Sequence, residues 1–447
     1  MRIGRGRSIR NSDSERDASL TGRNKDRMRA YKRELRALIN QSISFEEVAT
    51  ASEKERTIKL DKTIRSLLAK GNVHLSRREQ DLLVKQLIDD MFGLGPLEPL
   101  VADPAVSDIM INGPKHVFVE RGGKLMQTNV TFEDNDELMT VIERIVTAVG
   151  RRVDESSPMV DARMQDGSRF NAIIPPLAID GAAVSIRRFG TRPILWEDLI
   201  RFKSCPAPFM EVLKGAVQSK LNTIISGGTG SGKTTLLNVL SAFIPDHERI
   251  ITIEDSAELR LQQDHLIRLE TRAANQEGKG AVNQRDLVKN CLRMRPDRVI
   301  LGEIRGGEAV DMLTAMNTGC AGSLATVHAN NPQDALARFE TMVSIGMPNM
   351  SDKVIRETIA RALDIIVQQA RLSDGTRRVT ALTEITGIED GVITTQNIFE
   401  FERTDVLADG TVKGKFQSTG RRPRFMSRFA SYGIQISPSL FDFEMSV

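Results

Sequence analysis

The chain has 447 residues, 40% of them hydrophobic and 27% charged, with a formal net charge of +3, so two or three domains with sizeable cores are expected. One Trp and two Tyr are too few for the aromatic platforms that stack single-stranded nucleic acid, and no direct nucleic-acid partner is expected. Cys205, Cys291 and Cys320 are isolated and build neither a disulfide framework nor a paired-cysteine metal site.

Residues 1–36 carry twelve Lys/Arg against five Asp/Glu, and 1–50 reads as a basic, largely disordered or partly helical arm, a solvated tail in the first reading and one attracted to anionic lipid or an acidic partner in the second. No apolar run approaches the roughly 18 residues of a membrane span, and the N-terminus lacks the apolar stretch of a signal peptide. A cytoplasmic protein touching a membrane from inside is the expectation. Over 51–92, apolar residues recur at helical spacing (Ile58, Leu60, Ile64, Leu67, Leu68, then Leu82, Leu83, Leu87, Ile88, Phe92), which predicts helices.

The turn-rich GLGPLEPLVADPAV (93–106) opens an α+β domain running to 190. Its predicted strands are DIMING (108–113), HVFVERGG (116–123), SRFNAIIPP (168–176) and AAVSIRRF (182–189), and its predicted helix is 136–149. Residues 191–208, with Pro193, Pro206 and Pro208, read as a linker. From 209 to 401, strands alternate with helices, the pattern of a parallel sheet. The strands are NTIIS (222–226), RIITI (249–253), RVILG (298–302), SLATV (323–327) and DIIVQQA (364–370), followed by a hairpin, VTALTEI (379–385) and VITTQNIFEF (392–401), at the sheet's edge. Residues 402–447 read as a basic, turn-rich tail.

Strand 222–226 runs into GGTGSGKTT (227–235), comprising Gly227, Gly228, Thr229, Gly230, Ser231, Gly232, Lys233, Thr234 and Thr235. Glycines at these positions let successive backbone N–H groups point inward at phosphate oxygens, and the following helix adds its positive end. Lys233 is placed to neutralise the β- and γ-phosphates and Thr234 to offer its hydroxyl to Mg²⁺. ATP with Mg²⁺ is the expected ligand pair.

ITIEDSAEL (251–259) puts Glu254 and Asp255 at the carboxyl end of the next strand, the edge where open α/β sheets bind ligands. VILGEIRGG brings Glu303 and Arg305 to the same edge, where Glu303 would orient or deprotonate a water attacking the γ-phosphate. Phosphate-loop motors usually hold the metal with an Asp just before that Glu; here the residue is Gly302, so Glu254 or Asp255 is the candidate to position metal through bound water. A salt bridge or helix cap is the competing reading of each carboxylate, and Asp255 and Glu258 read as caps rather than catalysts. LATVHANNPQDAL (324–336) ends a further strand at His328, a candidate sensor of nucleotide state, while Asn331-Pro332 is a helix start.

Together GGTGSGKTT, ITIEDSAEL, VILGEIRGGEA and ATVHANNPQDAL resemble the type II/type IV secretion ATPase superfamily. GLGPLEPLVADPAVSDIMING, SSPMVDARMQDGSRFNAIIPP and SIRRF resemble its CpaF/TadA group, which powers Flp (tight-adherence, Tad) pili. The resemblance implies a RecA-like P-loop NTPase domain preceded by an α+β N-terminal domain and a helical, basic N-terminal region. It further implies a homohexameric ring, peripheral at the inner membrane, acting on an inner-membrane platform protein. Arg169 and Arg187 match the arginines that close over the γ-phosphate in this family, with Arg163 and Arg188 as substitutes. Two other readings are a nucleic-acid-translocating motor on the same fold and a nucleotide-gated scaffold with little turnover.

Overall fold

In the computed structural model, the described residues are 31–32, 34–35, 38–39, 53–70, 75–188, 193–272, 274 and 279–447; apart from the first six of these, the arm expected over 1–50 lies outside them. The described chain forms two units, 1–188 and 189–447.

In the first unit, helices α1 (Glu53–Lys70) and α2 (Arg77–Phe92) bury Leu60, Ile64 and Leu68 against Leu83, Val84 and Leu87, as their three-to-four-residue spacing dictates. Ser76 and Glu79 form a reciprocal capping box at the start of α2. A short helix α3 (Glu98–Ala102) leads into strands β1 (Val106–Asn112), β2 (His116–Arg121) and β3 (Lys124–Gln127), helix α4 (Asn135–Ala148), and strands β4 (Met159–Arg163), β5 (Arg169–Ile173) and β6 (Ala183–Arg187). The strands pair antiparallel in the order β3-β2-β1-β6-β5-β4. Alternation sends Ile109, Ile111, Val117, Val119, Phe170, Ala172, Val184 and Ile186 into one core with Leu138, Val141, Ile142 and Ile145 of α4.

The second unit begins with helices α5 (Trp196–Arg201) and α6 (Ala207–Gln218), so half of the expected linker is helical. It continues with β7 (Thr223–Gly227), α7 (Lys233–Ser241), β8 (Ile250–Glu254), β9 (Leu266–Glu270), α8 (Gln284–Cys291), β10 (Arg298–Ile304), α9 (Glu308–Asn317), β11 (Leu324–Val327), α10 (Pro332–Gly346), α11 (Asp352–Ala362), β12 (Ile365–Arg371), β13 (Arg377–Glu389), β14 (Val392–Val406), β15 (Val412–Ser418), α12 (Met426–Ser431) and β16 (Glu444–Ser446). These strands form one sheet in the order β16-β15-β14-β13-β12-β7-β11-β10-β8-β9. The strands from β12 to β9 in that order run parallel. Strand β7 is central, and its consecutive residues Ile224 and Ile225 belong to different apolar cores. Burial on both faces explains its unbroken apolar run.

Two expectations need correction. The hairpin of β13 and β14 is not the sheet's edge, because β15 and β16 extend it, and residues 402–447 are not a tail. Phe416, Phe425, Phe429 and Phe441 from that segment are buried. Phe209 of α6 stacks on Phe399 at 4.1 Å between ring centroids and meets Phe416 edge-on at 5.5 Å, a favourable geometry for aromatic rings. Basic residues are also consumed: Arg428 donates to the carbonyls of Ser219 and Lys220 and pairs with Asp364. Gly215 of α6 is the counterpart of Phe429, since a Cβ there would lie 2.8 Å from its ring.

Phe429→Ala is therefore expected to destabilise the second unit by about 3–5 kcal/mol. Urea unfolding followed by the fluorescence of the single Trp, Trp196, measures this. An unchanged midpoint would mean that the C-terminal segment is not part of the core.

Candidate functional site

The phosphate loop hangs from the carboxyl end of β7, and its glycines are required by geometry. Gly230 and Gly232 have φ of +69° and +96°, which side-chain-bearing residues rarely adopt. A Cβ on Gly227 would lie 2.4 Å from the carbonyl oxygen of Gln369. Ser231 donates its hydroxyl to the Gly228 carbonyl at 2.9 Å. Lys233 stands at the start of α7 and folds back over the loop, donating Nζ to the carbonyls of Gly227 and Gly228, both at 3.0 Å. Thr234 and Thr235 follow in the first turn of the same helix.

Register aligns the strand ends beside this loop. Ser226 of β7 is paired with Val327 of β11, and Val327 with Ile304 of β10, so His328 and Glu303 belong to the tips next to the loop. Burial alone would raise the Glu303 carboxyl. A hydrogen bond from Arg305 at 2.8 Å, with the charges of Arg305, Lys233 and His328, instead holds it below the ordinary carboxylate range. Arg305 also faces Asp255 at 3.5 Å, so Asp255 makes a salt bridge in place of the cap expected of it. Partial burial and the charge of Lys233 push the His328 imidazole below its ordinary value, which leaves it neutral near pH 7.

Glu254 ends β8 and is buried. Its Oε1 accepts hydrogen bonds from the backbone N–H groups of Glu258 and Leu259, both at 2.8 Å, while Oε2 is buried without a partner. Burial pushes this carboxyl up to about 7 against the pull of the two backbone donors and of Arg268. A Cβ on Gly302 would stand 2.9 Å from Glu254 Cγ. The glycine before Glu303 thus makes room for Glu254, and the usual metal-holding Asp cannot occupy that place without displacing it.

Among the described residues no group of three or more His, Cys, Asp or Glu is placed to hold a metal ion. A Mg²⁺ would therefore depend on nucleotide oxygens and water for most of its ligands, as this hard cation commonly does. The Thr234 hydroxyl and the unpartnered Oε2 of Glu254 fit that donor set.

In the first unit, β5 and β6 set Arg169 opposite Arg187, β4 and β5 set Arg163 opposite Arg169, and Arg187 faces Asp108 of β1 at 3.6 Å. Three arginines thus follow one another across three strands. Arg188 is different: it donates to the carbonyls of Asp103 and Val106 and serves the fold. Sequence reasoning singled out none of Gln369, Arg371 and Arg377, which line the phosphate loop. They lie on strands whose pairing has to be known before the residues can be placed.

This constellation on the parallel part of the sheet defines a P-loop ATPase domain. The family model described as "Type II/IV secretion system protein" matches residues 90–400, and the chain belongs to that family. It is 32% identical over 312 residues to the conjugal transfer protein TrbB of Rhizobium radiobacter, covering 68% of this chain and 92% of that one. The type IV secretion system protein VirB11 of Bartonella quintana is 31% identical over 330 residues, covering 65% of this chain and 91% of its own. Among solved structures, the VirB11 ATPase of the Brucella suis type IV secretion system, crystallised with sulphate, is 27% identical. It covers 68% of this chain and 96% of its own, with a TM-score of 0.36. Among the described residues no helix is long and apolar enough to cross a membrane.

Glu254 gives a pH signature. Its carboxyl is raised in the fold from 4.5 to about 7, so its contribution to stability is full below pH 4.5 and is lost as the pH rises toward 7. Thermal unfolding of Glu254→Gln against wild type across this range should show the variant gaining relative stability as the pH rises. A constant difference would mean that the carboxyl titrates normally.

Proposed function

We propose that this protein is an ATP-hydrolysing motor that drives assembly, and possible retraction, of a Flp/Tad-type pilus, or secretion, from the cytoplasmic face of a bacterial inner membrane. It works as a homohexamer on a membrane platform protein. The observation that carries the reading is the meeting of Glu303 and His328, at adjacent strand tips, with Lys233 at the start of α7 beside a glycine loop shaped for phosphate. Relatives that bear conjugal-transfer and type IV secretion names support the secretion side. The pilus side rests on the family resemblance of the N-terminal motifs.

In this reading Gly227 to Gly232 cradle the phosphates, and Lys233 leaves the loop carbonyls to bind the β- and γ-oxygens. Thr234, with Glu254 through water, would hold Mg²⁺, which when bound spreads the charge of those oxygens. Glu303, held in its charged form beside the phosphate loop, orients the attacking water or accepts its proton. Glu254, titrating near neutrality, is suited to hold a proton. His328, uncharged near pH 7, reads the occupancy of the neighbouring phosphate position. Arg169 and Arg187 stabilise the transferred charge, with Arg163 beside them in the same row; contributions of this kind reach about 10³–10⁵ in rate.

Lys233→Ala is expected to abolish nucleotide binding; wild-type affinity in that variant would mean the site is misassigned. Glu303→Gln is expected to keep ATP bound while cleaving it about 10²–10⁴ times more slowly, measured in a single turnover. Lost affinity with an unchanged rate would make Glu303 a structural or metal-holding residue. If the wild-type protein leaves saturating ATP and Mg²⁺ unconsumed even with its membrane partner, the scaffold reading replaces the motor. Stimulation of turnover by DNA would favour a nucleic-acid motor.

A further inference from the structure

One wall of the phosphate loop belongs to a hairpin that the chemistry above does not use. Strands β12 and β13 are joined by a turn over 372–376, in which the Leu372 N–H donates to the Thr376 carbonyl at 2.8 Å and the Gly375 N–H to the Leu372 carbonyl at 3.0 Å. Asp374 accepts from the N–H and hydroxyl of Thr376, at 2.9 and 2.6 Å. Its other oxygen accepts from the N–H of Val412 at 3.0 Å, tying the turn to the start of β15. The hairpin is thus braced before it reaches the loop.

From it, Arg377 donates Nε–H to the carbonyl of Gly230 at 2.9 Å. Its Cδ lies 3.2 Å from the place a Cβ on Gly232 would take. Gln369 closes on Gly227 through its carbonyl and on Gly232 through its amide, and Arg371 stands 3.5 Å from a Cβ on Gly230. A loop whose N–H groups converge on an anion turns carbonyls outward, and each outward carbonyl needs a donor. Lys233 supplies the carbonyls of Gly227 and Gly228 only while it stays folded back. The Gly230 carbonyl has a donor that does not have to leave when phosphate arrives.

We infer that Arg377 is a positioning residue for the phosphate loop. Its Nε–H holds the Gly230 carbonyl outward, so that the loop amides stay preorganised for nucleotide. The inference rests on the reading of this loop as a nucleotide site. The charge of the guanidinium is not the working part; the donor at Nε is.

Glutamine separates the two, because its side-chain amide nitrogen stands as many bonds from Cα as Nε of arginine does, and it is uncharged. The experiment is titration of the full chain with a fluorescent ADP and Mg²⁺. Arg377→Met should weaken binding roughly fivefold, the worth of one ordinary hydrogen bond, and Arg377→Gln should stay within about twofold of wild type. Wild-type affinity in Arg377→Met overturns the inference. So does an Arg377→Gln as weak as Arg377→Met beside an Arg377→Lys that binds normally, since the charge would then act on phosphate directly. If Arg377→Met does not fold, the comparison of Gln with Lys decides alone. A wild-type protein that binds no nucleotide removes the nucleotide reading itself. Binding by wild type and its loss in Lys233→Ala, with Arg377→Met unaffected, removes this inference only.

Discussion

The central position of β7 is the constraint on which the site depends. With β11 on one side and β12 on the other, its backbone is fully paired and both faces are buried. Its carboxyl end is then a fixed point from which Gly227 to Gly232 can curl without moving their root. An edge strand would offer the same glycines on a mobile base. The neighbours matter as much: β11 brings His328 and β10 brings Glu303 from one side, while β12 and β13 bring Gln369, Arg371 and Arg377 from the other. Parallel pairing makes the tips of β7, β10, β11 and β12 point the same way, and the turn after β12 brings the start of antiparallel β13 to the same edge, so one sheet edge collects residues that are far apart in the chain.

Electrostatics divides the two carboxylates that the edge collects. Glu303 keeps its charge because Arg305 and Lys233 outweigh the cost of burial. Glu254, buried more deeply and held by two neutral N–H groups, stands close to half-protonated at pH 7. Two groups of one chemical type thus reach different protonation states a short distance apart, a pattern that catalytic sites use to separate roles. The small size of Gly302 is what lets Glu254 come so near the Glu303 strand.

Much of this was legible in the sequence. The phosphate loop and the strands leading to Glu254, Glu303 and His328 were readable because buried parallel strands appear as short, continuous apolar runs. The departure at Gly302 was visible too, but its cause was not, since the contact with Glu254 joins two strands. Strand β3 escaped because all four of its residues are exposed, and β9 because its alternation LIRLE is short and lies at the sheet's edge. The segment 402–447 was misread for a different reason. Its buried phenylalanines, at 416, 425, 429 and 441, are spaced for no single helix or strand, and their common core with Phe209 and Phe399 exists only in three dimensions. The row of Arg163, Arg169 and Arg187 likewise follows from strand register.

The most direct measurement is an experimental structure of the full chain with a non-hydrolysable ATP analogue and Mg²⁺. The account predicts the γ-phosphate against Lys233 Nζ, with the Glu303 carboxylate directed at a water in line behind it and the Gly227 and Gly228 carbonyls released. Triphosphate bound away from this loop, or bound there with Glu303 turned from the γ-phosphate, would contradict it.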